Sequence, residues 1–308
     1  MKKHLSLIAT IAIFVLMVAG ASLHYKGFFS FGVFLNLLRD NAFLGVAAVG
    51  MTFVILSGGI DLSVGGMIGF TSILLGVLIT KHHFHPAAAI GLSVAIGTAI
   101  GTSMGYVISA FDLPPFLVTL ACMFLTRGLA LVISPDTIAI DHPWYDAVSS
   151  AKTALPLIFL TVLAVGLYIA HARPFGRAVY AIGGNADSAA LMGLPVGKTK
   201  IKIYAISGLC SSIGGVLLTF YMSSGDPNAG RMLELDAIAA VVIGGTLLSG
   251  GVGSLVGTLF GVLILGVIQT AITFQGNINS WWTKIVTGIL LFGFILLQKV
   301  FQLRKTDS

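Results

Sequence analysis

Residues 58–65 carry the side chains in this sequence that could do chemistry inside an apolar chain. They read Gly-Gly-Ile-Asp-Leu-Ser-Val-Gly and place one carboxylate, Asp61, between two long apolar stretches. A carboxylate there can accept hydrogen bonds from ligand hydroxyls, pair with a base, or cap a helix that we predict to start at Leu62. Because carboxylates and helix-breaking glycines are costly at membrane depth unless they line a cavity or a turn, this segment is the first candidate for function.

Arg127 is the one basic residue placed well inside an apolar stretch. An arginine at such a depth must face protein or water. Two interpretations stay open. The side chain either snorkels to the outer surface or pairs with Asp136, or it lines a cavity and donates hydrogen bonds to substrate hydroxyls.

The other titratable residues form no catalytic or metal-binding pattern. His82, His83 and His85 cluster in a short predicted turn without a defined fourth ligand, so we expect a solvated loop. Residues 193–199 end like a phosphate-binding loop, but their glycines are one residue closer than that motif requires. We therefore expect no catalytic residue, no metal and no cofactor in this chain. If ATP drives the protein, a partner chain must bind the ATP and its Mg²⁺.

The composition places most of the chain in a membrane. Of the 308 residues, 56% are hydrophobic and 9% are charged, and the mean hydropathy is +1.01. The net charge of +6 is spread along the chain without interleaved exposed aromatic residues, so we expect no nucleic-acid partner. Cys122 and Cys210 lie in apolar runs and are predicted to be buried thiols.

These features predict an all-α fold, a polytopic transmembrane helical bundle of about 8–10 spans that forms one domain over residues 1–308. Broken or re-entrant segments are expected near residues 57–62 and 237–253. Residues 28–38 are too short to cross and predict an interfacial helix. Lys and Arg concentrate in alternate connecting segments, so the positive-inside rule places both termini in the cytoplasm. The candidate spans are residues 5–23, 42–56, 62–80, 86–111, 116–133, 154–170, 201–222, 237–248, 254–274 and 282–300.

Glycines interrupt the apolar runs at two corresponding places. Ser57-Gly58-Gly59 and Ser249-Gly250-Gly251 each stand where an inward-going span meets an outward-going one. Paired broken segments in two halves of a chain point to a translocation pathway. The alternative is that these glycines only allow helices to pack closely. The predicted pathway residues are Ser57, Gly58, Gly59, Asp61, Ser63, Arg127, Ser249, Gly250 and Gly251.

Residues 171–202 form the longest predicted inner segment and have their own organisation. A short helix is predicted up to Met192, with Asn185 or Asp187 as its cap and Gly193 as its end. Such a helix could dock into a groove of a motor subunit and transmit movement. The alternative is a basic loop that only anchors the segment to the membrane.

These motifs resemble those of the ribose-type sugar permeases of ATP-binding cassette importers. The resemblance runs from about residue 28 to 301 and is carried by residues 58–65, 181–193 and 242–253. Residues 40–45, 138–143 and 280–285 are most similar to the galactofuranose permeases of enteric bacteria within that family.

The resemblance implies a multi-pass subunit of the bacterial inner membrane that receives sugar from a periplasmic binding protein. A cytoplasmic ATPase would drive the sugar inward, and a second, unlike permease chain would complete a heterodimer. The coupling residues that it implies are Gly183, Gly184, Asn185, Ala189, Ala190 and Gly193.

Two other functions stay open. The same type of importer could carry another monosaccharide such as ribose, and an ion-coupled secondary sugar carrier could use Asp61 as its titrating acid. We expect the outer residues Asp226, Arg231, Glu234 and Asp236 to contact the binding protein. Trp144, Trp281 and Trp282 are predicted to form an interfacial aromatic belt, with a sugar-stacking surface as the alternative.

Overall fold

The computed structural model describes residues 5–275 and 281–306. Lys2 and Lys3, which support the predicted orientation, and Ser280 lie outside these residues. The described residues form fourteen helices and one antiparallel two-stranded sheet. In chain order these are α1 (Leu5–His24), α2 (Phe31–Asp40), α3 (Ala42–Leu56), α4 (Ser63–Thr80), α5 (Pro86–Ala110), α6 (Pro115–Ile133), β1 (Ile138–Ala139), α7 (Pro143–Ser150), α8 (Ala154–Ala172), α9 (Pro174–Gly184), α10 (Ala186–Leu191), α11 (Val196–Met222), β2 (Ser224–Gly225), α12 (Leu233–Ile243), α13 (Leu255–Gln275) and α14 (Trp282–Thr306).

The described helices confirm a polytopic helical bundle. Seven of them are long and apolar enough to cross a membrane, namely α1, α4, α5, α6, α8, α11 and α13. Helices α2 and α3 meet at a bend of 57° and together qualify as an eighth span. Residues 28–38, which we predicted as a separate interfacial helix, therefore contribute the first arm of a bent pair. The described part of α14 adds a shorter apolar helix, Trp282–Leu296.

Polar side chains hold both ends of α2. The backbone N–H of Val33 donates to Ser30 Oγ at 3.3 Å, which satisfies one of the free amides at the helix start. At the other end, Nδ2 of the buried Asn41 donates to the Leu37 carbonyl at 2.9 Å. Because α3 starts directly after Asn41, this amide holds the bend between the two helices.

Helix α11 packs against α3, α4 and α5 in the interior of the bundle. Gly97, Gly101 and Gly105 follow one another at every fourth position and so share one face of α5. A Cβ on Gly101 would lie 2.4 Å from the Tyr204 carbonyl oxygen and 2.9 Å from Gly208 Cα. The backbones of α5 and α11 are therefore in direct contact, which small residues permit inside a membrane.

The stretch between α11 and α13 is not a continuous helix. Residues 224–232 run along α4, where a Cβ on Gly225 would lie 3.1 Å from Gly76 Cα and one on Gly230 would lie 2.5 Å from the Gly65 carbonyl oxygen. Helix α12 follows with 11 residues. It is about 16 Å long, too short to cross a bilayer alone.

Both predicted interruptions are present. Helix α3 ends at Leu56 and α4 starts at Ser63, which confirms the break near residues 57–62. The second break, near residues 237–253, is also confirmed, although its helix starts at Leu233 and ends at Ile243 instead of spanning residues 237–248. The first turn of this helix includes Glu234, which is buried.

Candidate functional site

Two glycine-containing turns and the end of one helix, all distant in the sequence, meet at one point. The turns follow α3 and α12, the helix is α9, and we call the contact of Gly58, Gly183, Gly250 and Gly251 the glycine junction. The backbone N–H of Gly251 donates to the Leu56 carbonyl at 2.9 Å. A Cβ on Gly183 would lie 1.8 Å from that carbonyl oxygen, and one on Gly250 would lie 2.7 Å from the Gly58 nitrogen. The junction therefore has no room for a side chain at Gly183 or Gly250.

Three glycines with positive φ angles and a hydrogen bond from one tyrosine also belong to the glycine junction. Gly58, Gly250 and Gly251 have φ angles of +81°, +85° and +74°, which L side chains rarely adopt. The Tyr180 hydroxyl on α9 donates to the Gly253 carbonyl at 3.0 Å. Burial raises the pKa of Tyr180, so its hydroxyl stays protonated and able to donate.

The glycine junction brings together residues that we predicted for two different roles. Gly58, Gly250 and Gly251 were expected in the pathway, and Gly183 was expected to couple to an ATPase. The atoms nearest to their Cβ positions are backbone atoms of the two turns and of the ends of α3 and α9. The structure therefore favours the alternative that these glycines allow close packing, at a place where the predicted coupling segment touches both helix breaks.

The serines of the two turns and Gly59 lie at the edges of this contact. Ser57 Oγ donates to the Val54 carbonyl at 2.7 Å, within its own turn. The Ser249 carbonyl oxygen lies 3.6 Å from the Cβ position of Gly58. A Cβ on Gly59 would lie 2.6 Å from the Tyr204 hydroxyl, so this glycine packs against α11.

Helix α10 has the ends that the sequence predicts. The backbone N–H of Ser188 donates to Asn185 Oδ1 at 2.7 Å, which confirms Asn185 as the cap. Gly193 follows the helix with a φ of +80°, as a helix-ending glycine does. Ala189 is fully buried and Ala190 is exposed, so the helix has one packed face and one free face.

Sequence reasoning missed two residues at the end of α10. Leu191 is 90% exposed and Met192 is 69% exposed. Large apolar side chains at this exposure are typical of surfaces that meet a partner. The available signal was an adjacent apolar pair inside a segment otherwise rich in small, polar and basic residues.

Asp61 is fully engaged by hydrogen bonds within the protein. It is 1% exposed, and its Oδ1 accepts from the Ser63 backbone N–H at 2.9 Å and from Ser63 Oγ at 2.6 Å. Its Oδ2 accepts from Ser207 Oγ on α11 at 2.6 Å. The helix starts at Ser63, one residue later than predicted, so Leu62 takes the N-cap position and Asp61 instead accepts from the first helical N–H.

Arg127 pairs with an acid other than the one we expected. Its Nη2 donates to both Glu234 oxygens, each at 3.3 Å. The predicted alternative partner, Asp136, was wrong, because Glu234 reaches α6 from the first turn of α12. Glu234 is only 8% exposed, so the prediction that it contacts a binding protein does not fit its position.

A second ion pair holds the other side of α12. Lys284 Nζ on α14 donates to Asp236 Oδ1 at 2.8 Å. Asp236 is half-buried and paired with Lys284, whereas Arg231 is exposed. The two acids in the first turn of α12 thus tether this short helix to α6 and to α14.

No metal centre accompanies these contacts. Among the described residues, no group of three or more His, Cys, Asp or Glu side chains is placed to hold a metal ion. Cys122 and Cys210 are free and buried, as predicted.

Comparisons with known proteins identify the family. The model of the family described as "branched-chain amino acid transport system / permease component" matches residues 33–295. The chain is 49% identical over 307 residues to the inner membrane ABC transporter permease protein YjfF of Escherichia coli (strain K12), covering 97% of this chain and 93% of that protein.

Two further relatives are named for sugar import. The chain is 40% identical to the ribose import permease protein RbsC of Bacillus subtilis (strain 168), with 86% of this chain and 84% of that protein covered. It is 33% identical to the fructose import permease protein FruG of Bifidobacterium longum (strain NCC 2705), with 95% and 90% covered. No solved structure matches. These findings confirm the resemblance, and the chain belongs to the family of permease components of ATP-binding cassette transporters.

Proposed function

We propose that this chain is a membrane permease subunit of a bacterial sugar importer, and that its sugar is galactofuranose. The relatives named for ribose and fructose import support the monosaccharide class. The galactofuranose assignment rests on the similarity of residues 40–45, 138–143 and 280–285 to permeases for that sugar. Ribose is the second candidate.

The observation that carries this proposal is the direct contact between the predicted coupling segment and both helix breaks. Helix α9 ends at the glycine junction, and α10 follows it immediately. An ATPase that grips the exposed Leu191 and Met192 would displace α9, and the junction would pass that displacement to the end of α3 and to the turn after α12. Because the contact is made by backbone atoms, little side-chain rearrangement can absorb the movement.

The partners follow from this mechanism. A separate cytoplasmic ATPase would bind ATP and Mg²⁺ and dock on α10, with Gly183, Gly184, Asn185, Ala189, Ala190 and Gly193 shaping the coupling segment. A periplasmic binding protein would deliver sugar at the other end of the bundle, and an unlike permease chain would complete the heterodimer. Both termini would then be cytoplasmic. Partners drive such a cycle only if they bind the inward- and outward-facing states with different affinity.

The position of Asp61 argues against a secondary carrier. An ion-coupled carrier needs an intramembrane acid that can exchange its ion with water. Asp61 is 1% exposed and accepts hydrogen bonds from Ser63 and Ser207. These contacts support a structural role for its carboxylate.

Co-purification tests the proposed function. The tagged chain is extracted from its native membrane in mild detergent and its partners are identified by mass spectrometry. The complex is then reconstituted with its periplasmic binding protein for uptake of radiolabelled galactose or ribose. We expect an ATPase, a second permease and ATP-dependent uptake. An ATPase with this chain alone would indicate a homodimer, whereas uptake driven by an ion gradient without any ATPase would contradict the proposal.

A further inference from the structure

We infer that a polar cavity at the end of the bundle opposite to the glycine junction is a binding subsite for a neutral monosaccharide. The inference rests on the proposed function and adds a site to it. We call this space the distal cavity. It has a volume of about 400 Å³ and lies between the α2–α3 bend and the adjoining ends of α12, α13 and α14. The polar and aromatic residues that matter for its chemistry are Asn41, Arg231, Asp236, Gln269, Trp281 and Lys284.

The position of the distal cavity fits a site where a substrate enters. Asn41 stands at the start of α3, and the glycine junction touches the other end of that helix at Leu56. The 15 residues of α3 separate the two ends by about 22 Å. A ligand received at the distal cavity would therefore be held at the far end of the same helix that α9 contacts.

The charges balance when the distal cavity is taken together with a smaller cavity beside it, and this balance suits a neutral ligand. Asp236 and Lys284 pair with each other, and the Arg231 guanidinium donates to Asn228 Oδ1. A smaller cavity of about 270 Å³ shares residues with the distal cavity and adds the acid Asp40 to this surface. Two basic and two acidic side chains thus face the combined space, so no net charge selects an ionic substrate.

Neutral polar side chains supply the groups that sugar hydroxyls require. Gln269 and Thr273 line both cavities, and Thr283 and Thr287 line the larger one. Asn41, whose Nδ2 donates to the Leu37 carbonyl, also lines both cavities. Amides and hydroxyls donate and accept at once, as sugar hydroxyls do.

Trp281 provides the apolar surface that complements them. It lines the distal cavity and is 66% exposed, whereas the neighbouring Trp282 is 53% exposed and lies outside the lining. An indole ring offers a large flat face to the C–H face of a sugar ring. The structure thus separates two tryptophans that the sequence places together in an aromatic belt.

A branched-chain amino acid is the competing ligand, because the matching family model carries that description. The ammonium and carboxylate groups of an amino acid would pair with the acidic and basic side chains of the cavity. Its own side chain would contact the apolar part of the cavity wall. The number of neutral hydroxyl and amide groups in the lining favours the sugar. A binding experiment separates the two ligands.

Site-specific protection by ligand is the test. Both native cysteines are buried, so Thr283→Cys introduces an accessible thiol into the cavity lining and Thr137→Cys introduces one into an exposed loop between α6 and β1. Maleimide labelling of the purified complex is followed with galactose, ribose or leucine in the buffer. We expect galactose or ribose to slow labelling at position 283 about tenfold and to leave position 137 unchanged. Protection by leucine alone, or by none of the three, overturns the inference.

A second pair of variants links the cavity to transport. In reconstituted complexes, we expect Trp281→Leu to reduce the sugar uptake rate about tenfold, a change of about 1.4 kcal/mol, while Trp282→Leu stays near the wild type. ATPase activity without sugar should match the wild type for Trp282→Leu, which lies outside the cavity lining. Equal uptake by both variants, with wild-type uptake intact, overturns the inference and leaves the proposed function standing. Absence of ATP-driven sugar uptake in the wild type contradicts the proposed function and, because it rests on that function, the inference too.

Discussion

Arg127 on α6 and Glu234 on α12 form an ion pair directly over Gly65 of α4, with 3.3 Å between Nη2 and each carboxylate oxygen. A Cβ on Gly65 would lie 1.9 Å from Glu234 Oε2, so the glycine makes room for the pair. Together with the Asp236–Lys284 pair, this ion pair holds the first turn of α12 in place. Helix α12 is too short to cross a bilayer alone. Glu234 and Asp236 therefore connect α12 to α6 and to α14.

Removing one partner of the Arg127–Glu234 pair should destabilise the protein. Arg127→Met leaves Glu234, which is 8% exposed, without its base. We expect a loss of about 2 kcal/mol and a lower melting temperature of the detergent-solubilised chain. Arg127→Lys is the control, because a single nitrogen makes both contacts and an ammonium group can replace it. An unchanged melting temperature for Arg127→Met would contradict the structural role.

Gly183 and Gly184 provide a matched pair for the glycine junction. A Cβ on Gly183 would lie 1.8 Å from the Leu56 carbonyl oxygen, whereas one on Gly184 would meet nothing within 4 Å. We expect Gly183→Ala to abolish ATP-driven uptake and Gly184→Ala to preserve it. Uptake is measured in proteoliposomes, and size-exclusion chromatography shows whether each variant still folds. Equal transport by both would mean that the junction does not transmit movement.

The exposed end of α10 should control binding of the ATPase. Leu191→Ser with Met192→Ser removes apolar surface that is 90% and 69% exposed, so folding should be unaffected. We expect recovery of the ATPase with the tagged chain to fall about tenfold, because apolar anchors dominate such contacts. Lys198→Ala, an exposed change in the same segment, is the control. Unchanged ATPase recovery from the double variant would place the docking surface elsewhere.

Substitutions at Asp61 separate an importer from a carrier. Asn keeps the acceptor for Ser63, and the Ser207 hydroxyl can turn to accept from the new amide. We therefore expect Asp61→Asn to retain ATP-driven uptake within about twofold, whereas Asp61→Ala loses the acceptors of three donors and about 1–3 kcal/mol of stability. Loss of uptake in a well-folded Asn variant, with partner binding intact, would favour the carrier.

Local features were predictable because they depend on neighbours in the sequence. The helix break before Ser63, the Asn185 cap and the Gly193 end each involve groups within a few residues of one another. Hydropathy similarly predicts which segments can enter a membrane, since that depends on the composition of each segment alone.

Contacts between distant segments could not be predicted in this way. Arg127 and Glu234 are 107 positions apart, and the sequence offered Asp136 as a nearer acid. The two Ser-Gly-Gly turns were identified as a pair, but spacing does not reveal that Gly183 packs between them. Trp281 and Trp282 are adjacent in the sequence, and only the placement of α12 and α13 beside α14 decides which of them lines the distal cavity.

The sequence by itself therefore determined the membrane class, the helical fold, the positions of both breaks and the ends of α10, because hydropathy and capping act over one helical turn or one span. The tertiary structure decided which glycines touch, which acid neutralises Arg127 and where a polar cavity opens. Those outcomes depend on how separate helices pack, and backbone contacts between glycines leave no side-chain pattern in the sequence from which their partner can be read.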